Sequence, residues 1–171
     1  MKALVVYETL FGNTEEVARA IGRGLAETLA VDVVDVGHAP TDPDPGVALV
    51  VAGGPTHAFS MTRESTRADA RKQGAPVEPG IGLREWLSAL PRRRHETLLA
   101  TFDTKVVRPA LPGSAGNAAG RLGRRHGYQM IDRPETFVVA GTTGPLLPGE
   151  LDRATAWGRT LAGLVAEQTV G

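Results

Sequence analysis

Short, unbroken apolar runs alternate along this chain with segments whose apolar residues recur every three or four positions. Ala3 to Tyr7 and Val47 to Ala52 are such runs, rich in Val, and predict strands buried on both faces. Val31 to Val36, Thr97 to Phe102 and Tyr128 to Ile131 predict three more, with Thr136 to Ala140 either extending the last or pairing at an edge. Between them lie helix faces. Val17, Ile21, Leu25 and Leu29 repeat every fourth residue, and Leu83, Trp86, Leu87 and Leu90 fall at i, i+3, i+4 and i+7 before Pro91 stops the helix. Ala115, Ala118, Ala119 and Leu122 make a small-residue face suited to lying close on a sheet, and Glu150 to Glu167 closes the chain with Leu151, Ala154, Leu161 and Val165. Strands alternating with helices require right-handed crossovers, hence an α/β fold: a doubly wound five-stranded parallel sheet with helices on both faces.

The 171 residues suffice for one such domain, and neither a linker nor an internal repeat divides them. Residues 57–80 break the rhythm. They carry many charges, almost no aliphatic core and a Gly/Pro-rich end, and predict a long excursion with a short exposed helix near Arg63 to Lys72. A lid, a dimer contact and a flexible loop all fit that segment. Gly22 and Gly24 either weaken the first helix or let it pack close to the sheet.

Composition removes several classes of chemistry. The chain has no cysteine, so disulfides, thiolate nucleophiles and Cys-based metal sites are out. Nineteen basic residues balance nineteen acidic ones, against the basic excess of a general nucleic-acid binder. No apolar run nears the roughly 20 residues of a membrane span, and the N-terminal run is too short for a signal peptide, so a cytoplasmic protein is expected. The four histidines show no ligand spacing, and no metal site is expected. Arg92, Arg93 and Arg94 follow a helix end, where they either interact with its dipole in solvent or dock an anionic partner.

In an open parallel sheet, ligands sit beyond the carboxyl ends of the strands. The first such end leads through Thr9, Leu10, Phe11, Gly12, Asn13 and Thr14 straight into a helix. Two hydroxyls, an amide and a glycine surround a helix N-terminus, whose free N–H groups and dipole suit a phosphate without any Lys or Arg. An ordinary turn with Asn13 or Thr14 as N-cap uses the same residues.

The longer stretch VVYETLFGNTEEVARAI, Val5 to Ile21, resembles the FMN-phosphate signature of the flavodoxin family: two apolar residues, an aromatic, Thr or Ser, then Gly, Thr and Ala at fixed spacing. Tyr7, Thr9, Gly12, Thr14 and Ala18 all fall in place. Gly54-Pro55-Thr56-His57 is similar to the family's second flavin loop, and the segment from Glu150 to Ala162 to its last helix, so the likeness spans nearly the whole chain. The resemblance implies a single FMN-binding domain over residues 1–171, with Thr9 to Thr14 around the phosphate. It also implies that Pro55, Thr56, His57, Ala58 and Phe59 flank the ring on one side and that Phe102, Asp103 and Thr104 approach it from another. It implies electron transfer with a redox partner protein or a small-molecule donor or acceptor, or a flavin-dependent reductase or oxidase acting on a quinone- or tetrapyrrole-type substrate.

The chain departs from the family pattern in its second and third loops and in its charge. His57 stands where the family often has Trp, leaving Phe59 either to stack on the ring or to pack under the long loop. The third loop lacks the usual Tyr, so Thr104 and Lys105 either meet the ring edge or are solvated. Leu111 to Gly116 either approaches the same site or starts a helix capped by Ser114. The zero net charge weakens the acidic steering typical of single-electron carriers. A flavodoxin-fold interaction domain that has lost FMN is the competing class.

A receiver-domain metal pocket is missing, because Gly53 and Gly54 follow the third strand where acids are needed. Pro112 before Gly113-Ser114 rules out a nucleophile elbow, and Gly22-Arg23-Gly24 lies inside a helix rather than after a strand.

Overall fold

A computed structural model describes residues 1–77 and 80–170; Glu78 and Pro79 of the 57–80 segment, and Gly171, lie outside the described residues. The elements in chain order are β1 (Lys2–Tyr7), α1 (Asn13–Leu25), β2 (Ala30–Asp35), β3 (Val47–Pro55), α2 (Glu64–Lys72), α3 (Leu83–Ala89), β4 (Leu98–Val106), α4 (Ala115–Arg125), β5 (Gln129–Met130), β6 (Glu135–Val139) and α5 (Glu150–Val170).

All strand pairings between these elements are parallel, in the order β2-β1-β3-β4-β5. The fifth position is split. β5 pairs with the start of β4 at Leu98 and Leu99, and β6 pairs with its upper half from Phe102 to Val106. Pro134, which has no N–H to give a ladder, sits in the break. The stretch from Thr136 thus continues the same edge rather than forming a separate one.

Successive residues of β1 face opposite layers, as the period of a strand demands. Ala3, Val5 and Tyr7 join a core with α1 and α5, where Phe102, Phe137 and Trp157 meet edge to face at centroid distances of 6.2–6.4 Å. Leu4 and Val6 face the other core, built on Leu83, Trp86 and Leu87 of α3 and Ala115 and Ala119 of α4.

The glycines of α1 divide their work. A Cβ on Gly22 would stand 2.6 Å from Val33 Cγ2 of β2, so this residue lets the helix lie close on the sheet. Gly24 faces α5 instead, its virtual Cβ 2.1 Å from the Thr155 carbonyl oxygen.

Two strands run further than their apolar runs indicate. β3 continues through Gly53-Gly54-Pro55, residues that sequence reading takes as its end. The Phe102 ring lies over Gly53, 2.2 Å from where a Cβ would stand, so glycine here makes room rather than breaking the strand. β4 likewise continues through Asp103 and Thr104, which pair with Gly54 and Pro55. The expected third loop is therefore strand, and the loop proper begins at Val107.

No α-helix joins β2 to β3. A short 3-10 turn, Val36–His38, and a strap of coil cross that face, held where Trp86 Nε1 donates to the Pro40 carbonyl at 3.0 Å.

Candidate functional site

The loop from β1 to α1 is set by one residue in the left-handed region. Gly12 has φ 93°, ψ −14° and occupies the N-cap position without a side-chain cap. Its N–H donates to Thr9 Oγ1 at 2.9 Å, and its carbonyl accepts from Glu16 N–H at 3.1 Å. Asn13 and Thr14 are therefore the first residues of the helix and not its cap, contrary to the simpler reading of the sequence. Among the described residues, the N–H groups of Leu10, Phe11, Asn13, Thr14 and Glu15 have no acceptor in the protein. They gather at the positive end of a 13-residue helix. Such a cradle of free backbone donors suits an anion.

Thr14 is 2 % exposed, and its hydroxyl lies 2.7 Å from that of Thr104 on β4. Thr9, Leu10, Phe11, Asn13 and Thr14 form one wall of a cleft of about 520 Å³, part of it open to solvent. Pro55, Thr56 and His57 form the second wall and Thr104 the floor. Val106, Val139 and Thr142 complete it. Those three residues are the part that sequence reading misses. The turn-rich stretch Gly141-Thr142-Thr143-Gly144-Pro145 is the only signal for Thr142, and it is easily taken for an ordinary connection to α5.

A second, broader cleft of about 820 Å³ adjoins the first, sharing Thr56, His57, Val106 and Thr142. Ala58 and Phe59 line it. Both residues have positive φ, 46° and 72°, at the tip of a two-residue turn closed by hydrogen bonds between His57 and Ser60. Non-glycine residues seldom hold that geometry in tandem, and it presents the Phe59 ring outward, 53 % exposed. Phe59 does not pack under the long loop. Lys105 Nζ donates to the carbonyls of Leu111 and Gly113 at 2.8 and 2.5 Å, fixing the 107–113 loop on the far side of this cleft.

Two of the expected contacts turn inward. Phe102 is fully buried in the aromatic cluster of the α1/α5 layer, so only its backbone is near the site. Asp103 is also fully buried. Its Oδ2 accepts from Thr56 Oγ1 at 2.9 Å, from Gly116 N–H at 3.0 Å and from the Ser114 hydroxyl. The Thr56 hydroxyl in turn takes Ala115 N–H at 2.9 Å, and Ser114 Oγ takes Asn117 N–H at 3.1 Å. The N-terminus of α4 is thereby closed by the protein's own groups, while that of α1 stays open. Ser114 caps α4 as the sequence suggests.

The charged excursion buttresses the cradle. Leu10 packs with Ala70 of α2 and with Ala75. Arg67 of α2 points inward, 4 % exposed, and donates to Glu85 Oε1 at 2.9 Å and to Thr62 Oγ1 at 3.0 Å. Glu8, the residue before the cradle, is 3 % exposed; it accepts from Leu83 N–H at 2.8 Å and from Thr62 Oγ1 at 2.5 Å, with Arg67 Nη1 4.0 Å away. Burial raises the Glu8 pKa above its ordinary value, outweighing these hydrogen bonds and the arginine. Burial also pushes Glu85 upward, but its hydrogen bond and charge contact with Arg67 prevail and leave it lowered.

No protein-family model and no curated protein sequence matches the chain. Solved structures do. A flavodoxin from the domain Archaea superposes with a TM-score of 0.68 at 21% identity, covering 97% of this chain and 99% of that one. The fold is that of a flavodoxin. Oxidised Flavodoxin 1 from Bacillus cereus gives a TM-score of 0.66 at 13% identity over 95% of this chain and 98% of that one. The flavodiiron protein from Giardia intestinalis gives 0.58 at 16% identity, with 97% of this chain matching 36% of the longer one. Among the described residues no helix is long and apolar enough to cross a membrane, and no cluster of His, Asp or Glu could hold a metal ion.

Proposed function

We propose that this chain binds FMN at the carboxyl edge of its sheet and transfers electrons through it. The observation that carries the reading is the open N-terminus of α1. Among the described residues, five backbone N–H groups lack acceptors beside the Thr9 and Thr14 hydroxyls, and no carboxylate lines the cleft. That donor set fits a dianionic phosphate. The adjoining cleft, broad and bordered by Phe59 and His57, fits a flat ring system. The likeness to flavodoxins supports the same cofactor.

In this reading the residues from Thr9 to Thr14 hold the phosphate, and Thr104 orients the Thr14 hydroxyl toward it. Pro55 to Phe59 flank the ring on one side, and the backbone of β4 at Phe102 to Thr104 together with Val106 bounds the other. Asp103 directs its Oδ2 into the α4 cap and not into the cleft. FMN, when bound, supplies the redox chemistry; the protein supplies position and electrostatics.

A second reading, direct reduction of a quinone- or tetrapyrrole-type substrate, draws on the adjoining cleft, which is open to solvent and bordered by Phe59 and Leu111. The two separate on whether NAD(P)H and a quinone turn over without an added protein. FMN binding itself is tested by following FMN fluorescence as protein is added. Quenching that saturates at one FMN per chain supports the proposal; a folded chain that leaves FMN fluorescence unchanged at micromolar protein overturns it and leaves an interaction domain.

A further inference from the structure

The charges on the rim of the site are distributed unevenly. The residues that line the two clefts include Lys105 and Arg108 and neither Asp nor Glu, and Arg63 follows the Phe59 turn with Glu64 beside it in the chain. Glu64 is exposed and offsets Arg63; the other nearby carboxylates are engaged. Glu8 and Asp103 are buried, and Glu135 and Glu150 are paired with Arg153. Among the described residues, Arg63, Lys105 and Arg108 have no ion-pair partner. Lys105 is held by carbonyls, which fix its position and leave its charge uncompensated. A chain neutral overall thus carries a local positive collar at one edge.

Within that collar stand three of the chain's exposed large apolar side chains: Phe59 at 53 %, Val107 at 45 % and Leu111 at 49 %. Phe59 is held outward on the strained turn, so its exposure is built into the backbone. The turn and the 107–113 loop touch. The virtual Cβ of Gly113 falls 2.0 Å from the Phe59 carbonyl oxygen, and Gly113 itself has φ 86°. An apolar, aromatic centre with an arginine rim is the composition of a protein-binding patch.

We propose that this collar is the docking surface for an acidic partner protein. Its carboxylates would meet Lys105 and Arg108, and the partner would cover the apolar centre of Phe59, Val107 and Leu111. Steering by those charges speeds encounter, and the apolar contact sets the lifetime. That the partner is an electron-transfer protein rests on the FMN reading; the surface argument does not use the cofactor.

The test titrates isotope-labelled protein, with and without FMN, with two probes of opposite charge. A plant-type [2Fe–2S] ferredoxin serves as the acidic protein and cytochrome c as the basic one. Amide shifts clustered at residues 57–63 and 105–113 are expected with the ferredoxin at low salt. They should weaken about tenfold or more in affinity as ionic strength rises to about 0.15 M. Arg108→Glu and Phe59→Ser should each weaken binding about tenfold, while Arg23→Glu at the far end of α1 leaves it unchanged. Shifts at the collar with cytochrome c instead, shifts elsewhere, or ferredoxin binding unaffected by Arg108→Glu overturn the proposal. A chain that docks ferredoxin at the collar but does not bind FMN keeps this surface and loses the redox reading; one that binds FMN but docks only the basic protein does the reverse.

Discussion

The hydroxyls of Thr14 and Thr104 stand 2.7 Å apart and buried, joining the first turn of α1 to the upper half of β4 across 90 residues of chain. Either oxygen can donate, so one proton remains to be directed into the cleft while the other closes the pair. Removing the Thr14 hydroxyl leaves a buried Thr104 without its partner and, on the proposed FMN reading, deletes one donor to the phosphate. Thr14→Ala should weaken FMN binding about ten- to hundredfold, and Thr14→Ser should restore most of it, measured by fluorescence quenching. Thr104→Val should produce a smaller loss in the same assay, because it acts through Thr14. Equal losses for the two variants would contradict that division of roles.

Asp103 separates the fold from the site. The family resemblance places it against the flavin, yet its side chain is fully buried and caps α4. Asp103→Ala removes one acceptor from Thr56, Ser114 and Gly116 together. A stability loss of about 3–5 kcal/mol is expected from the urea midpoint at unchanged slope. FMN affinity of the fraction that stays folded should change less than about threefold. A large affinity loss with little destabilisation would move Asp103 into the cofactor site.

Most of the fold is legible in the sequence because it is written in local periodicity. Ala3 to Tyr7 and the Leu83–Leu90 face need no tertiary information to read. The errors share a cause. Gly53-Gly54 looks like a terminator until the Phe102 ring is placed over it, and Phe102 lies 49 residues away. Asp103 looks like a loop residue until it is seen to face a helix N-terminus. The α1 cradle is legible because its free donors are backbone N–H groups, and only the Gly and Thr positions need be specified. The fourth loop at Thr142 and the inward turn of Arg67 are not legible, since nothing local distinguishes a buried arginine from a solvated one. The 57–80 segment is charged for a reason that composition hides: part of that charge is internal and holds the excursion against the cradle.

The two helices of the α1/α5 layer approach so closely that identical substitutions should act in opposite directions. A Cβ at Gly24 would lie 2.1 Å from the Thr155 carbonyl and 2.9 Å from Arg159 N, both backbone atoms that cannot swing aside. Gly24→Ala should destabilise by about 1–3 kcal/mol, because the helices must separate. Gly163, on the exposed side of α5, has nothing within 4 Å of a virtual Cβ. Gly163→Ala should stabilise by about 0.5–1 kcal/mol through helix propensity alone. Thermal or urea unfolding of both variants checks the pair, and a neutral Gly24→Ala would mean the helices are free to slide.

Glu8 and Glu150 should give pH profiles of opposite sign. Burial raises the folded pKa of Glu8 above its ordinary value of 4.5. The native state therefore holds the proton more tightly than the unfolded chain does. The associated stability is fully present below about pH 4.5 and is lost as pH rises through the folded value. Glu8→Gln carries no such loss. Relative to wild type it should gain stability between about pH 4 and about pH 8, whatever fixed offset the amide introduces at Leu83 and Thr62. Glu150 is the contrary case. Hydrogen bonds from Arg153 and from Val138 N–H hold its pKa below 4.5, so its contribution is present above that value and is lost as pH falls through the folded one. Glu150→Gln should therefore lose most relative to wild type at neutral pH and converge with it in acid. Urea midpoints for the three proteins at both pH values decide the matter. If Glu8→Gln tracked Glu150→Gln, the Arg67 charge would outweigh burial at Glu8, and the buttress behind the cradle would be a true ion pair rather than a desolvated carboxyl held by Thr62 and Leu83.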